Sequence, residues 1–313
     1  MISNSLWPFG PEFFIYINLK MGWKIIEIEQ GDHLNLYLNN IVIRKENDKI
    51  IIPINDIDTL LINNYKTQIS INLINELMEN NVVVIICDKN YLPTSNIVPI
   101  IGNYNTLKVL ENQLKWDNTF KAKLWKEIIY LKITNQYNFL INFNLDIKIA
   151  EQINILRNEI KDYDISNREG HASKLFWHAL FGLSFKRHDN DYYNSLLNYG
   201  YTILRSYVTR SIIKKGLDPR IAIFHKSWHN YYALASDLME PFRVLIDHEV
   251  YKIYENSEVN FYEHKQSLID CFNRKMIING TKYFINKAID VFIDAIVEHK
   301  QLPTIEIDYN EWL

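Results

Sequence analysis

The sequence predicts an α+β protein, with a small β-rich N-terminal domain followed by a larger all-helical C-terminal domain. Three observations carry this expectation. Before Ile101 the apolar residues come in short β-branched runs, whereas from Leu107 they recur at helical spacing. With 48% hydrophobic and 13% aromatic residues in 313, the chain is rich enough to bury a substantial core. Only 9 Gly and 8 Pro leave little room for flexible linkers.

The elements follow in order. Residues 1–20 mix Phe, Ile and Trp with Pro8, Pro11 and Glu12, and lack the basic start and continuous apolar stretch of a signal peptide. They read as a non-native or upstream extension, with Met21-Gly22-Trp23 as the start of the folded protein. The runs 24–30, 34–38, 41–44 and 50–52 are strand-like, and Gly31-Asp32 and Asn39-Asn40 between them suggest hairpins. Ile71, Ile74, Leu77 and Met78 share one face of a helix that Asn80-Asn81 ends, and 82–86 follow as a buried strand. The β-rich domain thus spans 21–102, with a connector near 102–106. The helical domain spans 107–300, interrupted near Asp164, Gly182, 216–219, Pro241 and Asn279-Gly280, and a tail covers 301–313.

Charge and cysteine usage narrow the function classes. Lys and Arg number 34 against 37 Asp and Glu, a net charge of −3, so any polyanion site must be a local patch. Cys87 and Cys271 have no paired spacing, which argues against a disulfide framework or a cysteine zinc site and favours a reducing compartment. With no stretch of about 18 apolar residues, a cytoplasmic location is expected.

Chemistry concentrates between 161 and 250. That window holds six of the nine histidines, His171, His178, His188, His225, His229 and His248, and 12 Lys and Arg against 10 Asp and Glu. Glu169 opens a helix within Ser166-Asn-Arg-Glu, where a capping box is the ordinary explanation. Gly170 beside it is unfavourable so early in a helix unless something approaches the backbone closely. His225 follows the apolar run 221–224, and with His229 it could be read as half of a zinc site, though no third ligand lies near in sequence. Glu240 is fixed by Pro241 at a helix break among Leu238, Met239 and Phe242, with Asp237 three residues before it. Arg243 could be its ion-pair partner. Two carboxylates and an imidazole suit a divalent cation of the Mg2+ or Mn2+ type, and a metal-dependent phosphodiester enzyme is one reading among several.

At these residues a resemblance appears. The segments 167–174 (NREGHASK), 198–204 (NYGYTIL), Gly216-Leu-Asp-Pro219 with 223–227 (IFHKS), and 237–243 (DLMEPFR) resemble, in order and spacing, the CRISPR-associated spacer integrase family (Cas-one), most closely its type II branch. Residues 33–40 resemble that family's early strands. The resemblance starts near Met21 and covers nearly all the remaining chain; the extension 1–20 departs from it.

The resemblance implies a β-rich domain that forms a homodimer and a helical catalytic domain. It places the metal ligands on Glu169, His225 and Glu240, with Mg2+ or Mn2+ as cofactor. Asp237 matches an acidic position beside the metal, and Asn198 and Tyr199 match positions lining the site. Family members insert short DNA fragments at CRISPR repeats through attack of a 3′-hydroxyl on a phosphodiester. They work with a small partner (Cas-two), and in type II systems the effector nuclease and, in one subtype, a ring-shaped DNA-binding protein can take part. Arg168, Lys174, Lys226 and Arg243 flank the ligands and are candidate phosphate contacts. Two alternatives use the same residues: a metal-dependent nuclease on branched or single-stranded DNA, and a non-catalytic DNA-binding scaffold.

Overall fold

The computed structural model describes residues 24–29, 33–44, 49–88, 93–97, 99, 105–225, 230–256 and 261–309. The extension 1–20, Met21-Gly22-Trp23, the Gly31-Asp32 turn, Lys226 and His229 lie outside the described residues.

Among the described residues the N-terminal domain has two four-stranded sheets and one α-helix. Its elements are β1 (Lys24–Ile28), β2 (His33–Tyr37), β3 (Asn40–Arg44), β4 (Lys49–Pro53), β5 (Ile57–Ile62), β6 (Gln68–Ile69), α1 (Ile71–Glu79), β7 (Val83–Cys87) and β8 (Pro93–Ile97). One sheet has the order β1-β5-β7-β8 and the other β4-β3-β2-β6. The hairpin expectation holds for β2 with β3, which turn through Leu38 and Asn39 at positive φ (46° and 60°). It fails for β1, which pairs in parallel with β5. The reason lies in the pattern of burial. Ile57, Leu60, Leu61 and Ile62 are covered on both sides, as in the interior of a parallel sheet, and such strands need long crossovers rather than tight turns. The β2–β4 segment makes one crossover, and α1, capped by the Ser70 hydroxyl accepting from Leu73 N–H, makes the next.

The helical domain contains α2 (Thr106–Leu114), α3 (Asn118–Asn142), α4 (Ile147–Asn158), α5 (Arg168–Phe181), α6 (Tyr192–Lys214), α7 (Ala233–Leu238), α8 (Val244–Asn256) and α9 (Phe261–Asp270), then β9 (Lys275–Ile278), β10 (Thr281–Phe284), α10 (Ile285–Val297) and β11 (Ile305–Ile307). The expected α+β architecture is therefore observed, with two departures from detail. Asn279-Gly280, read as a helix break, is the two-residue turn of the β9–β10 hairpin, both residues having positive φ. The segment after residue 300, read as a tail, supplies β11, which pairs with β9 and buries Ile305 and Ile307. Three residues are too few to show a strand period, so only the pairing reveals it.

Alternation along β1 explains how the domains join. Ile26 and Ile28 face the second sheet, while Ile25 joins the core of the helical domain with Leu61, Val83 and Ile85. Glu27 shares the Ile25 face, and its buried carboxylate accepts from Lys265 (2.6 Å), Gln266 and Asn63. Asp58 accepts from Arg210 of α6 (2.6 Å) and Asn286 of α10 (2.9 Å). These two networks fix the first sheet against α6, α9 and α10, and α6 is one of the helices that line the site.

Candidate functional site

A cavity of about 750 Å³ opens in the helical domain between α3, the N-terminal half of α5, the segment 183–188, α6 and the turn at 240–243. Glu169, His225 and Glu240 all line it, so the fold gathers three residues spread over 72 positions of sequence.

Each is fixed by a separate local device. Glu169 lies in the first turn of α5, where the expected capping box does not form. Asp164 instead accepts from the N–H groups of Arg168 (2.8 Å) and Glu169 (2.9 Å). Asp164 can reach them because Tyr163, Asp164 and Asn167 take positive φ and fold the chain back beneath the helix. Freed from capping, the Glu169 side chain turns into the cavity, accepting from Ser173 Oγ (2.9 Å) and pairing with Lys132. Gly170 has the close neighbour its position implied: a Cβ there would stand 2.7 Å from Asn167 Oδ1.

His225 is held by Asp237, which is fully buried. One carboxylate oxygen accepts from the N–H groups of Ile223 (2.7 Å) and Phe224 (2.9 Å), and the other from His225 N–H (3.2 Å) and ring Nδ1 (2.6 Å). Nε2 is thereby left as the ring nitrogen available to a ligand. The Asp237 hydrogen bond raises the imidazole pKa above its usual 6.5, against the opposing effect of burial. Phe224 stacks on Trp125 with ring centroids 4.4 Å apart and stays partly exposed at the cavity wall.

Glu240 begins a short 3-10 turn, Glu240–Phe242, in which Pro241 costs no hydrogen bond because it sits at the start. Burial alone would push its carboxyl up, but Arg243 (2.8 Å) and Lys132 (2.6 Å) hold it below the ordinary value. For Glu169, Lys132 is the main cause of a pKa near 2, with Ser173 assisting and burial opposing. Lys132 thus touches both carboxylates. Among the described residues no three acidic, histidine or cysteine side chains are gathered as a ready cation site, and Lys132 stands between Glu169 and Glu240.

The other expected positions divide. Lys174 and Arg243 line the cavity, Arg243 lying over the Tyr201 ring at 4.6 Å. Arg168 is turned to Glu159 (3.0 Å) and is not among the lining residues. Asn198 acts through a neighbour, accepting at 2.7 Å from Arg187, which lines the cavity. Tyr199, one position on, faces the opposite way and is buried near Glu27 and Lys265. Sequence reasoning missed Lys132, Gln136, Lys186, Arg187, Tyr201 and Asp247, all of which line the cavity. A signal existed for two of them: Lys132 and Gln136 fall in the phase of Ile128, Ile129 and Ile133, and a lysine on an apolar face calls for a buried partner.

The comparisons with known proteins meet this geometry. The family model for CRISPR associated protein Cas1 matches residues 26–280, most of the chain and every element that lines the cavity. The chain belongs to the Cas1 family. It is 31% identical over 278 residues to the CRISPR-associated endonuclease Cas1 of Neisseria meningitidis serogroup C, covering 88% of this chain and 91% of that one. A Cas1 of Francisella tularensis subsp. novicida is 26% identical over 292 residues, covering 85% and 92%. Among solved structures, the Cas1 of Thermotoga maritima superposes with a TM-score of 0.74 at 15% identity, covering 89% of this chain and 98% of that one. A casposase bound to integration product superposes at 0.70 with 18% identity, covering 88% and 90%. A Cas6-RT-Cas1–Cas2 complex contains a chain that superposes at 0.69 with 16% identity, covering 90% of this chain and 36% of that one. At such identities these likenesses concern the shared fold. Among the described residues no helix of this Cas1 chain is long and apolar enough to cross a membrane.

Proposed function

We propose that this Cas1 chain is a metal-dependent DNA integrase that inserts short DNA fragments at CRISPR repeats by 3′-hydroxyl attack on a phosphodiester. The observation that carries the reading is the convergence of Glu169, Glu240 and His225 on one cavity that also holds Lys174, Lys186, Arg187 and Arg243. Acidic residues and an imidazole sharing a cavity with lysines and arginines suit a cation-assisted reaction on a polyanion.

The donor set fits Mg2+ or Mn2+. The two carboxylates reach a single ammonium, so their oxygens converge on one point already balanced by positive charge. Two hard oxygen donors and one neutral imidazole match such ions. A bound ion there would supply charge stabilisation to the scissile phosphate and to the entering and leaving oxygens.

The chain's own residues do the remaining work. Asp237 fixes the tautomer and direction of His225. Arg187, braced by Asn194 (3.0 Å) and Asn198 (2.7 Å), presents a guanidinium to backbone phosphates. Lys174, one turn along α5 from Gly170, can hold a second phosphate of the same strand. Arg243 is committed to Glu240, so its main part is to hold that carboxylate ionised. In the transfer a 3′-oxygen of the fragment forms a bond to phosphorus as the repeat's 3′-oxygen leaves, so one phosphodiester replaces another and no nucleotide cofactor is consumed. The small partner Cas2 belongs to the same reading, which draws on the fold shared with the Cas1–Cas2 complexes; the homodimer and, in type II systems, the effector nuclease draw on the sequence resemblance alone.

A strand-transfer assay tests it, using fluorescent short duplex DNA and supercoiled plasmid carrying a repeat, with Mn2+ or EDTA and with Cas2 added. Metal-dependent joined product is expected. Nicked plasmid without joining, even with Cas2, favours the plain nuclease; DNA binding with neither product favours the scaffold.

The pH dependence has a definite sign. A protonated His225 cannot bind a cation, and its folded pKa is raised above 6.5. Joining and apparent metal affinity should therefore rise with pH through that raised value and then level off. In the metal-free protein the same group stabilises the fold fully below pH 6.5 and loses this contribution as pH rises through its folded pKa. Melting curves with EDTA and with Mn2+, from about pH 6 to about pH 9, should diverge as pH increases. Parallel curves would remove His225 from the ligand set.

A further inference from the structure

Among the described residues Lys132 is the one that pairs with both carboxylates, and the chemistry proposed above gives it no task. It projects from the buried side of α3 and is only 8% exposed. An ammonium taken so far out of water is costly unless it is paired. Here it has two partners from two other elements, Glu169 of α5 and Glu240 of the short turn after α7. The dependence runs both ways. Two carboxylates converging on one point with no cation between them repel, and one of them would take up a proton.

A divalent ion shared by Glu169 and Glu240 must lie where both sets of oxygens reach, and that place is held by the Lys132 ammonium. The two cations exclude each other, so metal entry requires the ammonium to withdraw. A lysine can do this on its flexible four-carbon stem, whereas a planar guanidinium could not so readily. A destination exists: Gln136, one helical turn along the same face, lines the same cavity. Its Oε1 is buried with no hydrogen-bond partner among the described residues, while its Nε2 lies 3.4 Å from the Ser173 hydroxyl. A buried acceptor left unpaired is uncommon and costly.

We propose that Lys132 is a built-in counterion that takes the place of the divalent cation in the metal-free protein, competes with it, and so sets the metal affinity of the site. The inference rests on the metal reading given under Proposed function. Lys132 acts through Glu169 and Glu240 and is a positioning residue. It keeps the acidic pair charged, converged and folded until metal arrives, then passes its hydrogen bond to Gln136.

The test uses the full chain with Lys132→Met and the gentler Lys132→Gln, titrated with MnCl2 by calorimetry and melted in EDTA and in Mn2+. Competition predicts a lower melting temperature than wild type in EDTA, a larger increase on adding Mn2+, and a Mn2+ dissociation constant reduced roughly ten-fold or more. A neutral variant that folds only when Mn2+ is present also supports it. A merely structural lysine would lower melting in both conditions and leave the Mn2+ constant unchanged, and that result overturns the proposal. So does weaker Mn2+ binding, or failure of both variants to fold in either condition. If wild type binds no Mn2+, the metal reading itself falls. If wild type binds Mn2+ and Glu240→Gln does not, that reading stands and the comparison judges Lys132 alone.

Discussion

Glu240→Gln should abolish metal-dependent strand transfer, lowering the joining rate by about 10³-fold or more while leaving a folded protein. Glu240 is 5% exposed and answers two cations, the buried Lys132 at 2.6 Å and the half-buried Arg243 at 2.8 Å. Glutamine keeps the shape and one acceptor oxygen for these cations but removes the charge a divalent ion needs. Glu240→Ala loses the acceptor too, leaving both cations to Glu169 and to the Tyr201 ring, and should cost about 3–5 kcal/mol of stability. The pair of variants separates chemistry from folding. Joining should be lost in both, whereas the urea midpoint should fall much further for alanine. A glutamine variant that still joins DNA within about ten-fold of wild type would take Glu240 out of the reaction.

The second large effect belongs to a residue outside the cavity. Asp237 accepts four hydrogen bonds, three from successive backbone N–H groups and one from the His225 ring. Asp237→Ala leaves those backbone groups unpaired, some in a dry interior, and should cost about 3–5 kcal/mol. Amide exchange at 223–225 should accelerate selectively, because these are the groups released. Asp237→Asn is the sharper probe. Its amide end donates, so it can serve the two N–H groups at one oxygen or the His225 pair at the other, but not both. We expect joining to fall about 10–100-fold, the usual range for losing the group that orients a metal-binding histidine. The pH inflection of His225 should also move down, since the Asp237 bond is the main reason its pKa is raised. Unchanged exchange at 223–225 together with an unmoved inflection would show that Asp237 does not position the histidine.

How much of this was legible beforehand depends on the range of the interaction. The strands at 24–28, 33–37, 40–44 and 49–53 and helix α1 follow from local apolar period and from the turn residues between them. The long helices after residue 106 were legible in the same way, and so were their interruptions near Gly182, 216–219 and Pro241. Strand partners were not, because a strand's sequence records that both faces are covered without recording by what. Hence β1 looked like half of a hairpin and is the parallel neighbour of β5. The segment 305–307 had no period to show and became a strand by pairing with β9.

The site divides along the same line. The sequence alone determined the α+β order of elements and the breaks near Gly182, 216–219 and Pro241, and its resemblance to a known family singled out Glu169, His225 and Glu240 as expected ligands, because periodicity, turn chemistry and short motifs are written in neighbouring residues. It also determined that Glu240 needs a cationic partner and offered Arg243 three residues on, which the fold adopts. Only the tertiary structure decided that Asp164 rather than Ser166 caps α5, since that depends on a chain reversal at positive φ. Only the tertiary structure turned Tyr199 toward the β-rich domain, brought Arg187 to the cavity through Asn198, and set Lys132 between two carboxylates 37 and 108 positions away. The physical reason is common to all of them. A buried polar group takes its partner from whatever element packs against it, and packing between distant segments leaves no trace in the local order of residues.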